Sequence, residues 1–344
     1  MKILLVYTGG TIGMVENAAT GALESFDFEH LQQHVPELQR LGHEIHVHTF
    51  PRPIDSSDMM PAHWLQLRDI ISEAAPRYDG FVVLHGTDTM AFTASALSFL
   101  LLGLGKPVII TGSQLPISQI RTDGRENLIT AAEIAAARTP EGEPRVREVC
   151  IYFERRLMRG NRCTKINAEG FNAFRSHNFP PLARVGTHIS FDAEPVVAHA
   201  VSASVCSEFT RLTQLCSALV VVTLFPGMSE EIFAASVGAP SLRGVILRTF
   251  GSGNAPQQPW LLRQLRALQD RGVVVVNITQ CDEGAVEMGR YQTSRLLLEA
   301  GVVPGYDSTW EAMLTKLMVL LGSQLSHQQV VELLHQSLAG EITI

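Results

Sequence analysis

The chain has 344 residues, of which 46% are hydrophobic and 18% are charged, and its formal net charge is -7. This composition is typical of a water-soluble globular protein large enough for two domains. The acidic balance and the lack of a sustained basic stretch argue against a nucleic-acid partner, and no apolar stretch is long enough for a membrane-spanning helix.

Short apolar runs rich in β-branched residues recur along the chain, and helical patterns lie between many of them. The predicted strands are Ile3–Tyr7, Ile45–Phe50, Gly80–Leu84, Pro107–Ile110, Glu148–Phe153, Leu219–Leu224, Gly244–Thr249 and Gly272–Ile278. The predicted helices are Ala62–Ala74, Ala91–Leu102, Arg125–Ala137, Pro259–Asp270 and Glu311–Leu321. Continuous apolar strands that alternate with helices predict an α/β fold with parallel sheets buried on both faces.

The segment 180–205 interrupts this pattern, since it contains several prolines and has little periodicity. We therefore predict an N-terminal domain over residues 1–185, a linker over 186–206 and a smaller C-terminal domain over 207–344. The five cysteines are scattered and never form a C-x-x-C pair, which favours reduced thiols in a cytoplasm over a disulfide framework or a zinc site. The apolar run at the start is too short for a signal peptide, so we expect it to form the first strand.

Three predicted strands end in turns that combine glycine with hydroxyl or carboxylate side chains, and ligands bind beyond such strand ends in open α/β sheets. The turns are YTGGTIG at 7–13, LHGTDTM at 84–90 and ITGSQLP at 110–116. The first turn alone could be a phosphate cradle, the support of a nucleophile or a plain tight loop. A phosphate cradle is weakly supported, because the G-x-G-x-x-G and G-x-x-x-x-G-K-[ST] spacings are absent and no helix start follows Gly13.

A threonine hydroxyl is a useful nucleophile only when a base or a neighbouring cation shares its proton. Thr87 and Asp88 in the second turn, with Lys165 in the polar segment 162–171, supply a hydroxyl, a carboxylate and an ammonium group for that purpose. Adjacent glycines would let a substrate carbonyl approach backbone N–H groups that hold an oxyanion. These residues suggest nucleophilic catalysis without excluding the plain-turn interpretation.

The other candidate residues favour structural roles. His46 and His48 share one strand face but lack a third ligand at a suitable spacing, so we predict no metal site. His85 has no serine in a G-x-S-x-G turn to activate, and nothing is arranged to activate Cys163 as a thiolate.

In combination, the motifs resemble the bacterial-type L-asparaginases, specifically the cytoplasmic type I branch, over essentially the whole chain. TGGTIG and HGTDTM resemble the two signature segments of that family, and IDSSDM at 54–59 resembles its turn for the substrate carboxylate. Four further segments follow in the family's order: TGSQLP…RTDGREN, TKINAEGFNAF, LRTFGSGNAP and GYDSTWEAMLTKL.

This resemblance implies a larger flavodoxin-like N-terminal domain with a parallel-rich sheet and a smaller α/β C-terminal domain. It also implies hydrolysis of L-asparagine to L-aspartate and ammonia through a threonine acyl-enzyme, without a metal or cofactor. Thr11 would be the primary nucleophile, and Thr87, Asp88 and Lys165 would form a second triad. The resemblance leaves open whether Thr87 or an activated water has a larger part.

The resemblance also assigns the substrate-binding residues. Asp55, Ser56 and Ser57 would hold the α-carboxylate, and Asp88, beside Thr87, would face the α-ammonium group. Asn254 matches a position that a neighbouring subunit supplies in this family. We therefore expect a homodimer or a homotetramer with shared active sites.

One departure from the family concerns the catalytic tyrosine. Periplasmic members carry it in the loop after the first signature, but residues 14–30 contain none. Tyr306 matches a tyrosine in the GYD segment of other type I enzymes, so we expect its hydroxyl to lie near Thr11. The alternative is a structural tyrosine in a turn before a helix.

A second asparagine site, which activates some type I enzymes, would match Arg248 and Cys281 together with Thr164. Thr279 and Gln280, which precede Cys281, belong to the same candidate effector site. The alternative is that Arg248 and Cys281 simply end two adjacent strands.

Two other functions compete with asparagine hydrolysis. One is an asparaginase-like subunit of a tRNA-dependent amidotransferase. Such subunits usually carry an extra N-terminal domain, which we do not expect here because Thr11 lies close to Met1. The other is a non-catalytic protein that binds or senses amino acids, for which the combination of Thr11, Thr87 and Lys165 would be unnecessary.

Overall fold

A computed structural model describes residues 1–16, 23–25, 35–191, 203–289 and 292–344. The chain divides into two compact units, Met1–Cys206 and Ser207–Ile344, which are described separately below. The sequence leaves open whether residues 14–30 close over the site as a lid. Most of these residues lie outside the described part of the chain.

Among its described residues, the first unit contains an eight-stranded sheet. Its strands are β1 (Lys2–Tyr7), β4 (Glu44–Thr49), β5 (Gly80–Leu84), β6 (Val108–Thr111), β7 (Val149–Phe153), β8 (Arg156–Arg159), β11 (Ala183–Val185) and β12 (Ile189–Phe191). Two further pairs of short strands are β2 (Met14–Glu16) with β3 (Leu23–Ser25), and β9 (Cys163–Lys165) with β10 (Phe174–Ser176).

The order of strands in the large sheet is β12-β11-β8-β7-β6-β5-β1-β4. The five strands from β4 to β7 are all parallel, whereas β8, β11 and β12 are antiparallel to their neighbours. In chain order the parallel strands lie 2-1-3-4-5, which is the flavodoxin-like arrangement. The predicted α/β class and the flavodoxin-like N-terminal domain are therefore confirmed.

Helices cover both faces of this sheet. They are α1 (Glu37–Arg40), α2 (Pro61–Ala74), α3 (Met90–Leu100) and α4 (Gly124–Ala136). Ile3 and Leu5 of β1 belong to a hydrophobic cluster with α4. Leu4 and Val6, which alternate with them, belong to a second cluster with α2 and α3. Because both faces of β1 are buried, its sequence is continuously apolar.

The second unit contains a smaller parallel sheet in the order β13-β14-β15-β16 among its described residues. These strands are β13 (Leu219–Thr223), β14 (Gly244–Thr249), β15 (Val274–Thr279) and β16 (Val303–Pro304). Its helices are α6 (Glu230–Val237), α7 (Pro259–Asp270), α8 (Gln292–Glu299), α9 (Trp310–Gly322) and α10 (His327–Leu334), and α5 (Ala203–Thr210) lies at the boundary of the two units. The expected smaller α/β domain is confirmed.

The structure differs from the sequence-based prediction on the antiparallel side of the large sheet. β12 pairs with β11 and lies within the segment 186–206 that we predicted as a linker, and the bounds of that linker stay a prediction. A hairpin joins β11 to β12, and its turn contains Gly186, whose N–H donates to the carbonyl oxygen of His188 at 3.0 Å. Strands of three or four residues are too short to produce a recognisable hydrophobic period.

Candidate active site

The candidate site lies at the carboxyl ends of β1 and β5, which are adjacent in the sheet. The chain order reverses between these two strands, since β4 lies beyond β1 and β6 lies beyond β5. In open α/β sheets a crevice forms at such a switch point, and ligands bind there. The first two of the three glycine-containing turns follow these two strands.

These two turns meet each other and a third turn, IDSSDM at 54–59, at very short distances. Gly10 has a φ angle of +90°, and a Cβ atom on it would lie 2.5 Å from the Cα atom of Gly86. A Cβ atom on Gly86 would in turn lie 2.5 Å from Ser56 Oγ. Thr11 directly follows Gly10 and begins a single 3-10 turn, Thr11–Gly13. The glycines therefore bring Thr11, Gly86 and Ser56 to one place.

Thr87, Asp88 and Lys165 form a hydrogen-bonded triad. The Lys165 ammonium group donates to Thr87 Oγ1 at 2.8 Å and to Asp88 Oδ1 at 2.6 Å. Lys165 lies at the end of β9, and its side chain is only 19% exposed, whereas that of Asp88 is 62% exposed. The ammonium group is thus held against a buried hydroxyl, and the carboxylate beside it is open to solvent.

Gln114 and Asp123 also belong to this arrangement, and neither was predicted from the sequence as a site residue. Thr87 Oγ1 donates to Gln114 Oε1 at 3.2 Å, and Gln114 Nε2 donates to the carbonyl oxygen of Gly170 at 3.0 Å. The Asp123 carboxylate accepts the backbone N–H of Gln114 at 3.0 Å, and burial raises its pKa. The Thr87 proton therefore points toward Gln114, and its oxygen accepts from Lys165.

The predicted carboxylate turn joins the same cluster. Asp55 caps the 3-10 turn Ser56–Asp58, since its Oδ1 accepts from both the backbone N–H and the hydroxyl of Ser57 at 2.9 Å. Ser56 is 4% exposed, and its Oγ accepts the backbone N–H of Asp88 at 3.3 Å. The Ser56 carbonyl oxygen accepts from the Thr89 hydroxyl at 2.6 Å. Ser56 therefore links this turn to the second signature turn.

His85 has a structural environment. Its Nδ1 lies 2.6 Å from the carbonyl oxygen of Gly86, and its Nε2 lies 2.8 Å from Thr93 Oγ1, which also accepts from the Trp64 indole at 2.9 Å. A carbonyl oxygen can only accept, so we assign the proton to Nδ1. Complete burial lowers the pKa of His85 to about 4, and the imidazole is neutral at neutral pH.

Tyr306 and Asn254 belong to the second unit. Tyr306 has a φ angle of 56°, in the left-handed region, and its hydroxyl lies 2.8 Å from His335 Nδ1. Asn254 follows β14, where its backbone N–H donates to the carbonyl oxygen of Phe250 at 2.8 Å. Their predicted contribution to the active site stays a prediction.

Four of the five candidate effector residues lie at the ends of β14 and β15, which are paired. Gln280 Nε2 donates to the carbonyl oxygen of Arg248 at 3.0 Å, and Thr279 Oγ1 accepts the backbone N–H of Cys281 at 3.0 Å. Arg248 Nε is buried without a hydrogen-bond partner among the described residues, and its guanidinium carbon lies 5.9 Å from the centre of the Trp310 ring. Thr164 belongs to the first unit, in β9 beside Lys165.

Two features of the described residues bear on other classes of function. They contain no group of three histidine, cysteine, aspartate or glutamate side chains placed to hold a metal ion. None of their helices has the length and apolar character needed to cross a membrane.

Sequence comparison identifies two matching families, described as "Asparaginase, N-terminal" over residues 2–197 and "Glutaminase/Asparaginase C-terminal domain" over residues 219–334. The chain is 43% identical to L-asparaginase 1 of Escherichia coli strain K12 over 346 aligned residues, which cover 99% of this chain and 98% of that protein.

Two solved structures show the same similarity in three dimensions. The structure of L-asparaginase I from Vibrio cholerae is 41% identical, with a TM-score of 0.86 over 100% of this chain and 99% of that one. The thermostable L-asparaginase from Thermococcus kodakarensis is 32% identical, with a TM-score of 0.87 and the same shares of the two chains.

Proposed function

The chain belongs to the asparaginase family and is an amidohydrolase that hydrolyses L-asparagine, and we propose that it does so through a covalent ester on Thr11. Neither the amidotransferase-subunit interpretation nor the sensor interpretation is favoured, because the similarity to L-asparaginase 1 extends over nearly the full length of both chains. The observation that carries the mechanism is the triad of Lys165, Thr87 and Asp88 at the turn whose Gly86 packs against Gly10.

In the first step, Thr11 Oγ attacks the side-chain carbonyl carbon of asparagine. A carbon–oxygen bond forms, the carbon–nitrogen bond breaks, and the hydroxyl proton of Thr11 leaves with the departing ammonia. Backbone N–H groups of the glycine turns are suited to hold the negative oxygen of the tetrahedral intermediate. The close approach of Gly10 to Gly86 supports this step, because side chains there would close the space for a substrate carbonyl.

In the second step, water attacks the ester carbon, its proton returns to Thr11, and aspartate is released. Thr87 is placed to orient this water through its hydroxyl. The Lys165 ammonium group, 2.8 Å from Thr87 Oγ1, stabilises negative charge on that oxygen. Gln114 Oε1 accepts a hydrogen bond from the Thr87 hydroxyl in the resting arrangement and so fixes the direction of that hydroxyl.

For substrate binding, we assign the α-carboxylate to the turn of Asp55, Ser56 and Ser57, and the α-ammonium group to Asp88. The exposed carboxylate of Asp88 supports its part, since it can reach a ligand while it still pairs with Lys165. The preference for asparagine over glutamine depends on room for one methylene group, which contributes about 1–3 kcal/mol.

We assign Tyr306 and Asn254 to the active site of a neighbouring subunit, in a homodimer or homotetramer. The left-handed backbone of Tyr306 supports a functional role, because strained residues of this kind concentrate at active sites. A cytoplasmic location agrees with the five cysteines, none of which forms a disulfide.

We also assign a second asparagine-binding site to Arg248, Thr279, Gln280 and Cys281 of the second unit. The buried Nε of Arg248 supports this assignment, because a guanidinium group with an unused donor is suited to a carboxylate. A sigmoidal dependence of initial rate on asparagine concentration, which becomes hyperbolic in Arg248→Ala, is the expected result. A hyperbolic curve for the unaltered chain would remove the effector site and leave the enzyme.

The test of the nucleophile is ammonia release by Thr11→Ala, Thr11→Ser and Thr213→Ala. Thr213 is an exposed threonine of the second unit and serves as the matched control. We expect no turnover in Thr11→Ala, partial activity in Thr11→Ser and full activity in Thr213→Ala. Turnover by a folded Thr11→Ala variant would overturn the proposed mechanism.

A further inference from the structure

The second unit contains a buried ion pair that the mechanism above does not use. Lys316 Nζ on α9 lies 2.7 Å from Glu341 Oε1 near the C-terminus, and both side chains are 0% exposed. The two oxygens of Glu341 also accept the backbone N–H groups of Leu338 at 3.0 Å and Ala339 at 2.7 Å. A buried pair of charges is costly unless such hydrogen bonds compensate both members. This pair therefore fastens the tail after α10 to the core of the unit.

The same ammonium group holds the backbone on both sides of His335. Lys316 Nζ donates to the carbonyl oxygen of Gln336 at 2.6 Å and contacts that of Leu334 at 3.4 Å. The side chain of His335 is exposed, but the backbone on either side of it is held by the buried ammonium group of Lys316.

His335 in turn contacts Tyr306. Its Nδ1 lies 2.8 Å from the Tyr306 hydroxyl, and the two rings meet edge to face with centroids 6.2 Å apart. The tail makes a second contact beside this one, where Asp307 Oδ1 accepts the backbone N–H of Thr343 at 2.7 Å. Tyr306 itself has the left-handed backbone noted above. Two contacts to the fastened tail therefore hold the strained turn that carries this tyrosine.

We propose that His335 is a positioning residue that orients the Tyr306 hydroxyl for the reaction, an inference that rests on the proposed role of Tyr306. In the tautomer with its proton on Nε2, the imidazole Nδ1 accepts a hydrogen bond from the Tyr306 hydroxyl. The lone pairs of the phenolic oxygen are then available to accept a hydrogen bond from the nucleophile. Without His335 the hydroxyl rotates freely, and the productive orientation becomes one of several.

Charges around the ring favour the neutral imidazole that this arrangement needs. Partial burial and the nearby Lys316 ammonium group both lower the pKa of His335. Burial also raises the pKa of Tyr306, which keeps its proton. An imidazole without charge and a protonated phenol are the pair that a single directed hydrogen bond requires.

The test compares His335→Leu, which removes the acceptor, with His335→Asn, whose side-chain oxygen can replace Nδ1. For His335→Leu we expect kcat on asparagine to fall about five- to tenfold, as for the loss of one neutral hydrogen bond, with little change in KM or Tm. His335→Asn should recover most of the loss. Gln336→Leu, an exposed side chain at the next position, is the matched control and should keep the original kcat.

A double-mutant cycle with Tyr306→Phe separates this inference from the proposed function. If His335 acts through Tyr306, His335→Leu should cause no further loss in the Tyr306→Phe background. An equal loss in both backgrounds, or an unchanged kcat in His335→Leu when Tyr306→Phe is impaired, would overturn the role of His335 alone. An unimpaired Tyr306→Phe variant would overturn the assignment of Tyr306 and, with it, this inference. If His335→Leu does not fold, His335→Ala, which also removes the acceptor, replaces it in the same cycle and should again cause no further loss in the Tyr306→Phe background.

Discussion

Lys165→Met separates the catalytic contribution of the triad from its contribution to stability. Methionine keeps most of the apolar length of lysine but removes the ammonium group that lies 2.8 Å from Thr87 Oγ1 and 2.6 Å from Asp88 Oδ1. The side chain of Lys165 is 19% exposed, but that of Asp88 is 62% exposed, so water screens the pair, and its contribution to stability is about 1 kcal/mol, the upper figure for exposed pairs. The expected decrease in Tm is therefore at most about 2–4 °C.

The expected effect on catalysis is much larger. Loss of one preorganised donor to a developing negative charge reduces kcat by about 100- to 1000-fold. Substrate binding should change less, because Asp88 and the Ser56 turn remain. The assay is the initial rate of ammonia release against asparagine concentration, with a thermal unfolding curve for each protein.

Lys106→Met is the matched control for this substitution. Lys106 Nζ donates to the carbonyl oxygens of Ala75 and Tyr78, both at 2.6 Å, so its removal affects packing and leaves the triad untouched. We expect the control to keep its kcat per folded molecule even if its Tm falls. A kcat for Lys165→Met within about threefold of the original, or an equal loss in both variants, would refute the assigned role of Lys165.

Two further predictions concern stability and follow from buried charges. Unfolded His85 takes up a proton near pH 6.5 but folded His85 only near pH 4, so the free energy of unfolding should fall by about 3 kcal/mol as the pH drops through this window. His85→Gln should remove that part of the slope in urea titrations, and an unchanged slope would contradict the assigned neutral state. Lys316→Met leaves the carboxylate of Glu341 buried without a counter-ion and should cost about 3–5 kcal/mol, whereas Lys316→Met with Glu341→Leu should recover most of it. If Lys316→Met alone is as stable as the original protein in thermal unfolding, the ion pair does not fasten the tail.

The fold was predictable where long apolar strands dominate. β1, β5, β6 and β7 are buried on both faces, so continuous apolar runs marked them in the sequence. The turns after β1 and β5 were identified as site candidates for the same reason, because they end such runs. The short antiparallel strands were not predicted, since their pairing depends on contacts far along the chain rather than on local period.

The candidate site was predictable only in part. The contact of Lys165 with Thr87 and Asp88 joins residues 78 and 77 positions apart. The complementary chemistry of the three side chains and the family resemblance suggested it, whereas spacing could not. Gln114 and its anchor Asp123 were missed, because a hydrogen bond from a threonine to an amide 27 positions away has no local signature. The turns at 7–13, 54–59 and 84–90 meet because Gly10 and Gly86 have no Cβ atoms. Such a close approach of backbones depends on the packed fold and cannot be predicted from a single residue.

The most direct test of the covalent route is the partition of the reaction between water and hydroxylamine. The two substrates are L-asparagine and L-aspartate β-methyl ester. With hydroxylamine present, attack by water on the acyl group gives aspartate and attack by hydroxylamine gives β-aspartohydroxamate, and the two products can be quantified separately. An ester on Thr11 is common to both substrates, so we predict the same ratio of products from each and no hydroxamate from Thr11→Ala. Ratios that differ between the two substrates would show that no common intermediate exists and would contradict the covalent mechanism.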